Sequence, residues 1–407
     1  MTPIHHTFAP HADGAFRRRA FSLLLRPWTW KRGAAGEELR RELHRRFGKE
    51  PALFATGREA LTSLLRAYDL PAGSEVIVQG YTCVVVPNAI AAAGHRAVFA
   101  DIDPRTLNLT AETVRAALTP AAKAVICQHT FGIPAPLTEL RALCDEKKLL
   151  LIEDCAHVLP DAKGPEGMAV TGDAVIVSFG RDKAVSGVTG GALLARDSAI
   201  ASKAQKFATA DLSLLTIKRL LGYPLLYGFA RALPTTVRRL VLRAYKLLHL
   251  LPPILSVTEK RGHQDATIHR LPNACAALAL ASLRNLEAIN AYRRLLTALY
   301  LEETNVRAWP LLTGITADLP LQKFPMFVQG AERIRQTLQA SDIHLHDGWT
   351  GCVICPTSAE PDATDYCDGT NPSAEMAGQQ ILSLPTHPTM TGEQAKKLIE
   401  TLDPLLP

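Results

Sequence analysis

Six apolar runs punctuate the first half of the chain, at residues 76–78, 97–102, 124–127, 149–152, 174–179 and 192–195. Each has the length of a strand, and the segments between them carry helical spacing. Runs that are apolar throughout, rather than alternating, belong to strands covered on both faces. Strands that alternate with helices build a mostly parallel sheet, so the fold class is α/β. The stretch from Asn273 to Leu301 is rich in Ala and Leu, has no Gly or Pro, and reads as one long helix. Beyond it come Phe324-Pro325-Met326-Phe327-Val328, a helix around Ala331–Ala340 and a final helix Glu393–Leu402. A chain of 407 residues with 47% hydrophobic content can bury a large core, divided between two domains. The expected division is a basic N-terminal segment 1–50, a large domain 51–272, and a linking helix with a smaller C-terminal α+β domain over 273–407.

Charge changes this picture in one place. The net charge is +6, but residues 1–50 carry 11 Lys/Arg against 5 Asp/Glu, and residues 211–251 carry 7 against 1. The second segment lies in a Leu- and Tyr-rich stretch, about 211–260, that reads as a helical insertion into the large domain. Within 212–251 the longest uncharged run, Leu220 to Ala230, is too short to span a bilayer, and Pro224 and Pro234 are expected to interrupt the helices. Basic helices carrying aromatic residues suit a membrane interface, and Trp28-Thr29-Trp30 between Arg26 and Lys31 fits the same surface. The competing expectation is that these helices pack on the protein's own body with Arg stems lying along it. Long aliphatic runs between the cations argue against nucleic acid. The eight Cys are scattered, as in a reduced cytoplasmic protein. Cys352 and Cys355, with Cys367, His344 and His346, lack the second ligand pair of a zinc ribbon, so no metal is expected.

The candidate chemistry sits at two strand ends. The run Ala174–Val177 leads into Ser178-Phe179-Gly180-Arg181-Asp182-Lys183, with Gly187, Gly190 and Gly191 following. The run Leu149–Ile152 ends in Glu153-Asp154-Cys155-Ala156-His157. Open α/β sheets bind ligands at such ends. A lysine with a strand-end aspartate is the minimal kit for pyridoxal 5′-phosphate (PLP): the amine joins the aldehyde and the carboxylate holds the pyridine nitrogen protonated.

From about residue 52 onward the chain resembles the DegT/DnrJ/StrS family of PLP-dependent sugar aminotransferases, of fold type I. The resemblance is carried in order by Thr56-Gly57-Arg58-Glu59-Ala60-Leu61, Gly73–Val78 with Tyr81-Thr82-Cys83, Val98–Pro104, His129-Thr130-Phe131-Gly132, Glu153–His157, Ser178-Phe179 with Lys183, Asn371–Glu375 and Leu384–Pro388. It implies that Lys183 is the Schiff-base lysine and proton shuttle, and that Asp154 pairs with the pyridine nitrogen. It places His157 beside the ring, and Ser178 with the backbone of Thr56, Gly57 and Arg58 around the phosphate. Several positions depart from the family. Cys83 stands where an aromatic usually stacks on the ring, with Tyr81 two residues away as a replacement. Ile268 stands where an Asn would reach the phosphate from a partner subunit, which leaves Arg181 or Arg58 to supply that contact. The implied function is transfer of an amino group, from glutamate as donor, to a keto acceptor. That acceptor is expected to be a nucleotide-activated keto-sugar in polysaccharide or secondary-metabolite synthesis. A cyclitol or lipid-linked ketone, or a non-catalytic PLP-binding scaffold, stays open. The implied assembly is a homodimer, expected in the cytoplasm; peripheral contact of residues 212–251 with the inner face of the membrane stays one of the two expectations for that segment.

Overall fold

In a computed structural model that describes residues 3–6 and 11–406, every one of the six apolar runs lies in or overlaps a strand. With Glu50–Phe54 (β1) they form one seven-stranded sheet: Glu75–Gln79 (β2), Arg96–Ala100 (β3), Ala122–Gln128 (β4), Leu150–Asp154 (β5), Ala174–Ser178 (β6) and Gly191–Ala195 (β7). The order is β1-β7-β6-β5-β4-β2-β3, and β7 alone runs against both its neighbours. Consecutive residues on one strand supply opposite cores. Val125, Leu151 and Val177 pack on one face of the sheet, while Ile126, Ile152 and Ile176 pack on the other. This is why the runs show no alternation: both faces are covered.

The helices that matter for the site are Gly14–Leu24 (α1), Gly57–Ala67 (α2), Leu214–Arg231 (α3), Thr235–Leu247 (α4), Asn273–Arg284 (α5) and Leu286–Arg307 (α6). The long helix expected over 273–301 is therefore two. Asn285 leaves helical geometry at φ −100° and ψ 14°, its N–H turning to the Ser282 carbonyl, so the axis breaks without a Gly or Pro. Pro224 behaves in the opposite way to expectation. Helix α3 runs through it, giving up one backbone hydrogen bond, and only Pro234 separates α3 from α4. A third core fills the C-terminal part, where Lys323–Phe327 (β8) pairs antiparallel with Ile381–Pro385 (β9). It also takes in Tyr81, Phe131 and Trp349. The helix Pro372–Gln380 (α7) presents its first turn to the large sheet, where the Asp101 carboxylate accepts the Ser373 and Ala374 N–H groups at 3.1 and 2.9 Å. Among the described residues no helix is long and apolar enough to cross a membrane.

The N-terminal arm is tied down by histidines. Ile4–His5 pairs in parallel with Ile343–His344, and His5 stacks on His344 at 4.9 Å. The His387 ring donates to the His5 carbonyl at 2.6 Å, and the His6 ring to the Ser383 carbonyl at 2.5 Å. Burial pushes His387 and His5 down to about 3, and His6 down to about 4. Nearby His6, Arg231 and His11 push His387 in the same direction, while its bond to His5 opposes them. These rings stay neutral in the fold but take up protons when unfolded, below about pH 6.5. The stability they contribute is present above that pH and is lost as pH falls toward 4. Replacing His387 with Asn should remove about 2 kcal/mol of the stability difference between pH 7 and pH 5. Thermal midpoints of both proteins at the two pH values check this; an unchanged pH dependence would refute it.

Candidate active site

Strands β4, β5 and β6 end side by side at Gln128, Asp154 and Ser178, with Gln128 in register with Asp154. All three line a cavity of about 470 Å³, within the range of small-molecule sites.

One end of the cavity is built for an anion. Thr56, in extended conformation, caps α2 through its side-chain oxygen, which accepts the Glu59 N–H at 3.2 Å. Gly57 then opens the helix directly against Ser178. A Cβ on Gly57 would stand 3.3 Å from that of Ser178, and one on Gly191 would collide with the Gly57 backbone. Gly190, at φ 136°, makes the approach possible. The result is a side-chain-free cradle facing the first-turn N–H groups, which a helix leaves unused and which carry its positive dipole end.

Lys183 follows on the loop after β6, its N–H bonded to the Gly180 carbonyl at 3.3 Å. Its own carbonyl accepts from the His11 ring at 2.7 Å and from Arg293 at 3.4 Å, so the peptide beneath the amine is fixed from two sides. Asp154 is buried, with one oxygen accepting the Ala156 N–H at 2.9 Å. Burial raises its carboxyl above the usual range, while that hydrogen bond and the charges of Lys183 and His129 oppose the rise. A cationic ring nitrogen beside it would add to their effect. His157 accepts the Phe131 N–H on Nδ1 at 3.1 Å and stacks on the Phe131 ring at 5.7 Å. Burial, then Lys183 and Lys323, push it well below the ordinary histidine value, so the ring is neutral with its proton on Nε2. Burial also raises Asp182, but Lys183, Lys323 and Arg181 outweigh it and hold that carboxyl low.

The two arginines expected at the phosphate line the cavity but are engaged by the end of the insertion. Arg58 pairs with Glu259 and donates to the Ile254 carbonyl at 2.8 Å. Arg181 donates to the Pro252 carbonyl at 2.5 Å and lies over the Tyr223 ring at 4.3 Å. Residues 252–260 thus form a strap beside the cradle, with Glu259 also closing a capping box on Ser256. Glu259→Gln keeps an acceptor for that box but removes the charge held by Arg58. We expect roughly fivefold tighter binding of PLP, read by titration. Weaker binding would mean that a closed strap matters more than a free guanidinium.

Cys83 lines the cavity, and burial raises its thiol pKa. Tyr81 does not line it. It lies fully buried, its hydroxyl donating to the Trp349 carbonyl at 2.7 Å and its ring packed against that of Trp349 at 5.3 Å. The aromatic on the cavity wall is Trp349 itself, edge-on to His157 at 5.0 Å. Sequence reasoning missed Trp349, Gln128 and the strap residues Pro253, Ile254, Leu255 and Lys260. The only local signal for Trp349 was its place between Gly348 and Gly351.

The Cys352 and Cys355 sulfurs lie 3.5 Å apart, while Cys367 is exposed. Among the described residues the one cluster with three potential metal ligands is His129, Glu153 and Cys155. There the Glu153 oxygens already accept the Ala169 and Gly172 N–H groups at 2.7 and 2.6 Å, a structural role. The site as a whole fits PLP: the cradle suits a phosphate, Lys183 an aldehyde, and Asp154 a ring nitrogen.

The chain is similar to several known proteins. A dTDP-4-dehydro-2,3,6-trideoxy-D-glucose 4-aminotransferase of Saccharopolyspora spinosa is 37% identical over 153 residues, 38% of this chain and 40% of that one. An L-glutamine:2-deoxy-scyllo-inosose aminotransferase of Streptomyces kanamyceticus is 32% identical over 194 residues, 45% of each chain. The chain thus spans less than half the length of these curated relatives. The crystal structure of NtdA from Bacillus subtilis with bound cofactor PMP shares the fold, with a TM-score of 0.71 at 19% identity over 95% of this chain and 80% of that one. The model of the DegT/DnrJ/EryC1/StrS aminotransferase family matches residues 12–221 and 257–403, passing over 222–256 inside the basic insertion. With most of its length so matched, this chain belongs to the DegT/DnrJ/EryC1/StrS aminotransferase family.

Proposed function

We propose that this protein is a PLP-dependent aminotransferase that moves an amino group from glutamate to a nucleotide-activated keto-sugar. The observation that carries the reading is the meeting of Lys183, Asp154, His157 and the Gly57–Ser178 cradle at one cavity. PLP, when bound, supplies an electron sink for charge left on the donor's α-carbon. The chain's own residues do the rest. In the first half of the reaction the Lys183 amine would take the proton from that carbon, and in the second, run in reverse, it would give a proton to the acceptor carbon that receives the nitrogen, a task one base can perform in both directions. Asp154, ionised beside a cationic ring nitrogen, gains the counter-charge that offsets its burial. Neutral His157 and Trp349 offer ring-sized walls without adding a charge.

The keto-sugar is supported by the substrate in the name of the Saccharopolyspora spinosa relative. A second reading is favoured by the strap and insertion. Leu220, Pro253, Ile254 and Leu255 bring apolar surface to the cavity, which suits an acceptor with an apolar portion, such as a lipid-linked ketone. The working unit in either reading is a cytoplasmic homodimer. Formation of 2-oxoglutarate from glutamate, dependent on a nucleotide-linked keto-sugar, tests the first reading. Production with lipid-linked ketones alone would select the second, and no keto acid from any amino donor would end both.

A further inference from the structure

We propose that α4, with the adjoining outer faces of α1 and α3, docks this protein on an anionic lipid surface. The inner side of this layer is conventional. Ile217, Leu221, Tyr223 and Tyr227 of α3 pack with Ala20 of α1 and with Ala274 and Leu278 of α5. The outer side is not.

Helix α4 is attached to the body by a buried charge and by Leu242, which packs on the core under α3. Its buried residue is Arg238, which pairs with Asp342 at 2.6 Å, while Thr235 donates to the same carboxylate at 3.1 Å. Its apolar stripe faces outward. Val237, Leu240, Ala244 and Leu247 recur at helical spacing and stand in solvent, with Leu240 59% and Leu247 79% exposed. Exposed Arg239, Arg243 and Lys246 flank them. A helix of a globular protein normally turns such a stripe inward. Beside it, α1 and α3 enclose an open groove lined by Arg17, Arg18, Phe21, Leu225 and Phe229. Phe21 and Phe229 are more than half exposed, and Trp28, just past α1, is 76% exposed.

The charge pattern chooses the occupant. No Asp or Glu occurs between Asp13 and Glu37, or between Asp211 and Glu259, while the two stretches hold six and seven Lys/Arg. Exposed apolar and aromatic side chains among cations, in stretches that hold no acid, complement anionic headgroups over an acyl boundary. A second copy seated about a twofold axis would set this predominantly basic face against itself, and like charges would oppose each other. Bare phosphate of a nucleic acid would leave the Leu240–Leu247 stripe without a partner.

The test is flotation of the full-length, PLP-loaded protein with vesicles of phosphatidylcholine alone and with about one-third phosphatidylglycerol. Binding is expected to the mixed vesicles, to weaken with salt, and to fall roughly fivefold or more for each of Arg239→Glu and Arg243→Glu. Leu240→Asp with Leu247→Asp should abolish it while thermal midpoint and basal turnover hold, since both positions lie in solvent away from the cavity. Three results would overturn the proposal: no flotation with mixed vesicles, equal flotation with neutral ones, or an unchanged Leu240→Asp/Leu247→Asp protein. Self-association or duplex-DNA binding lost in that double variant, with no lipid binding, would assign the face to those partners instead.

Discussion

Lys183→Ala is expected to lower turnover by at least about 10³-fold with little change in the fold. The wild-type protein loaded with PLP should absorb near the visible edge and shift on addition of glutamate. The variant, whose aldehyde would condense with glutamate but find no base, should not go on to the pyridoxamine form, though it keeps the Gly57–Ser178 cradle. The separation is possible because the structure fixes the peptide and not the amine. His11 and Arg293 bond the Lys183 carbonyl, contacts that alanine retains. Its thermal midpoint should therefore stay close to that of the wild type. Partial return of activity with a small added amine would identify the missing group as a base. Conversion to the pyridoxamine form on adding glutamate to the variant would show that another group does this work, and the proposed function would fall.

Asp154→Asn should move activity and stability in opposite directions. Loss of a buried counter-charge to a ring cation should lower turnover by about 10²- to 10³-fold. In the cofactor-free protein the same carboxyl is a liability, because burial raises it by more than the Ala156 hydrogen bond and the charges of Lys183 and His129 lower it. The sign follows from proton binding. The folded state holds a proton that the unfolded chain releases near pH 4, so stability falls as pH rises from about 4 through the folded value. Asn keeps an oxygen for the Ala156 N–H and removes the titration. The cofactor-free variant should thus melt above the wild type at pH 7, with the difference closing toward pH 4. If it instead melts lower at every pH, Asp154 is a structural acceptor and its pairing with the cofactor is wrong.

Some of this was legible because it is local. The strands announce themselves through residues buried on both faces, and Thr56-Gly57 and Asp154 sit at fixed offsets from strand ends. Other parts depend on contacts the linear order hides. Trp349 reaches the cavity from the far side of the chain and displaces Tyr81 from the wall, although Tyr81 is the residue near Cys83 in sequence. Arg58 could be read as free for phosphate only because Glu259, 201 positions on, could not be seen to hold it. The break at Asn285 and the continuity through Pro224 are decided by packing, which overrode both the absence of breakers in one helix and the presence of one in the other. The insertion divided as well: its Ile217, Tyr223 and Tyr227 pack inward, while Leu240 and Leu247 stand in solvent.

The strap over the cradle has a kinetic consequence. Arg58 and Arg181 are both committed to residues 252–259, so an arriving anion must exchange partners with them before it can be held by either. Reconstitution of the cofactor-free protein should then show a rate that rises with PLP and levels off at the frequency with which the strap lets go. The same exchange in reverse would slow escape, so a tightly held cofactor here need not mean a deep energetic well.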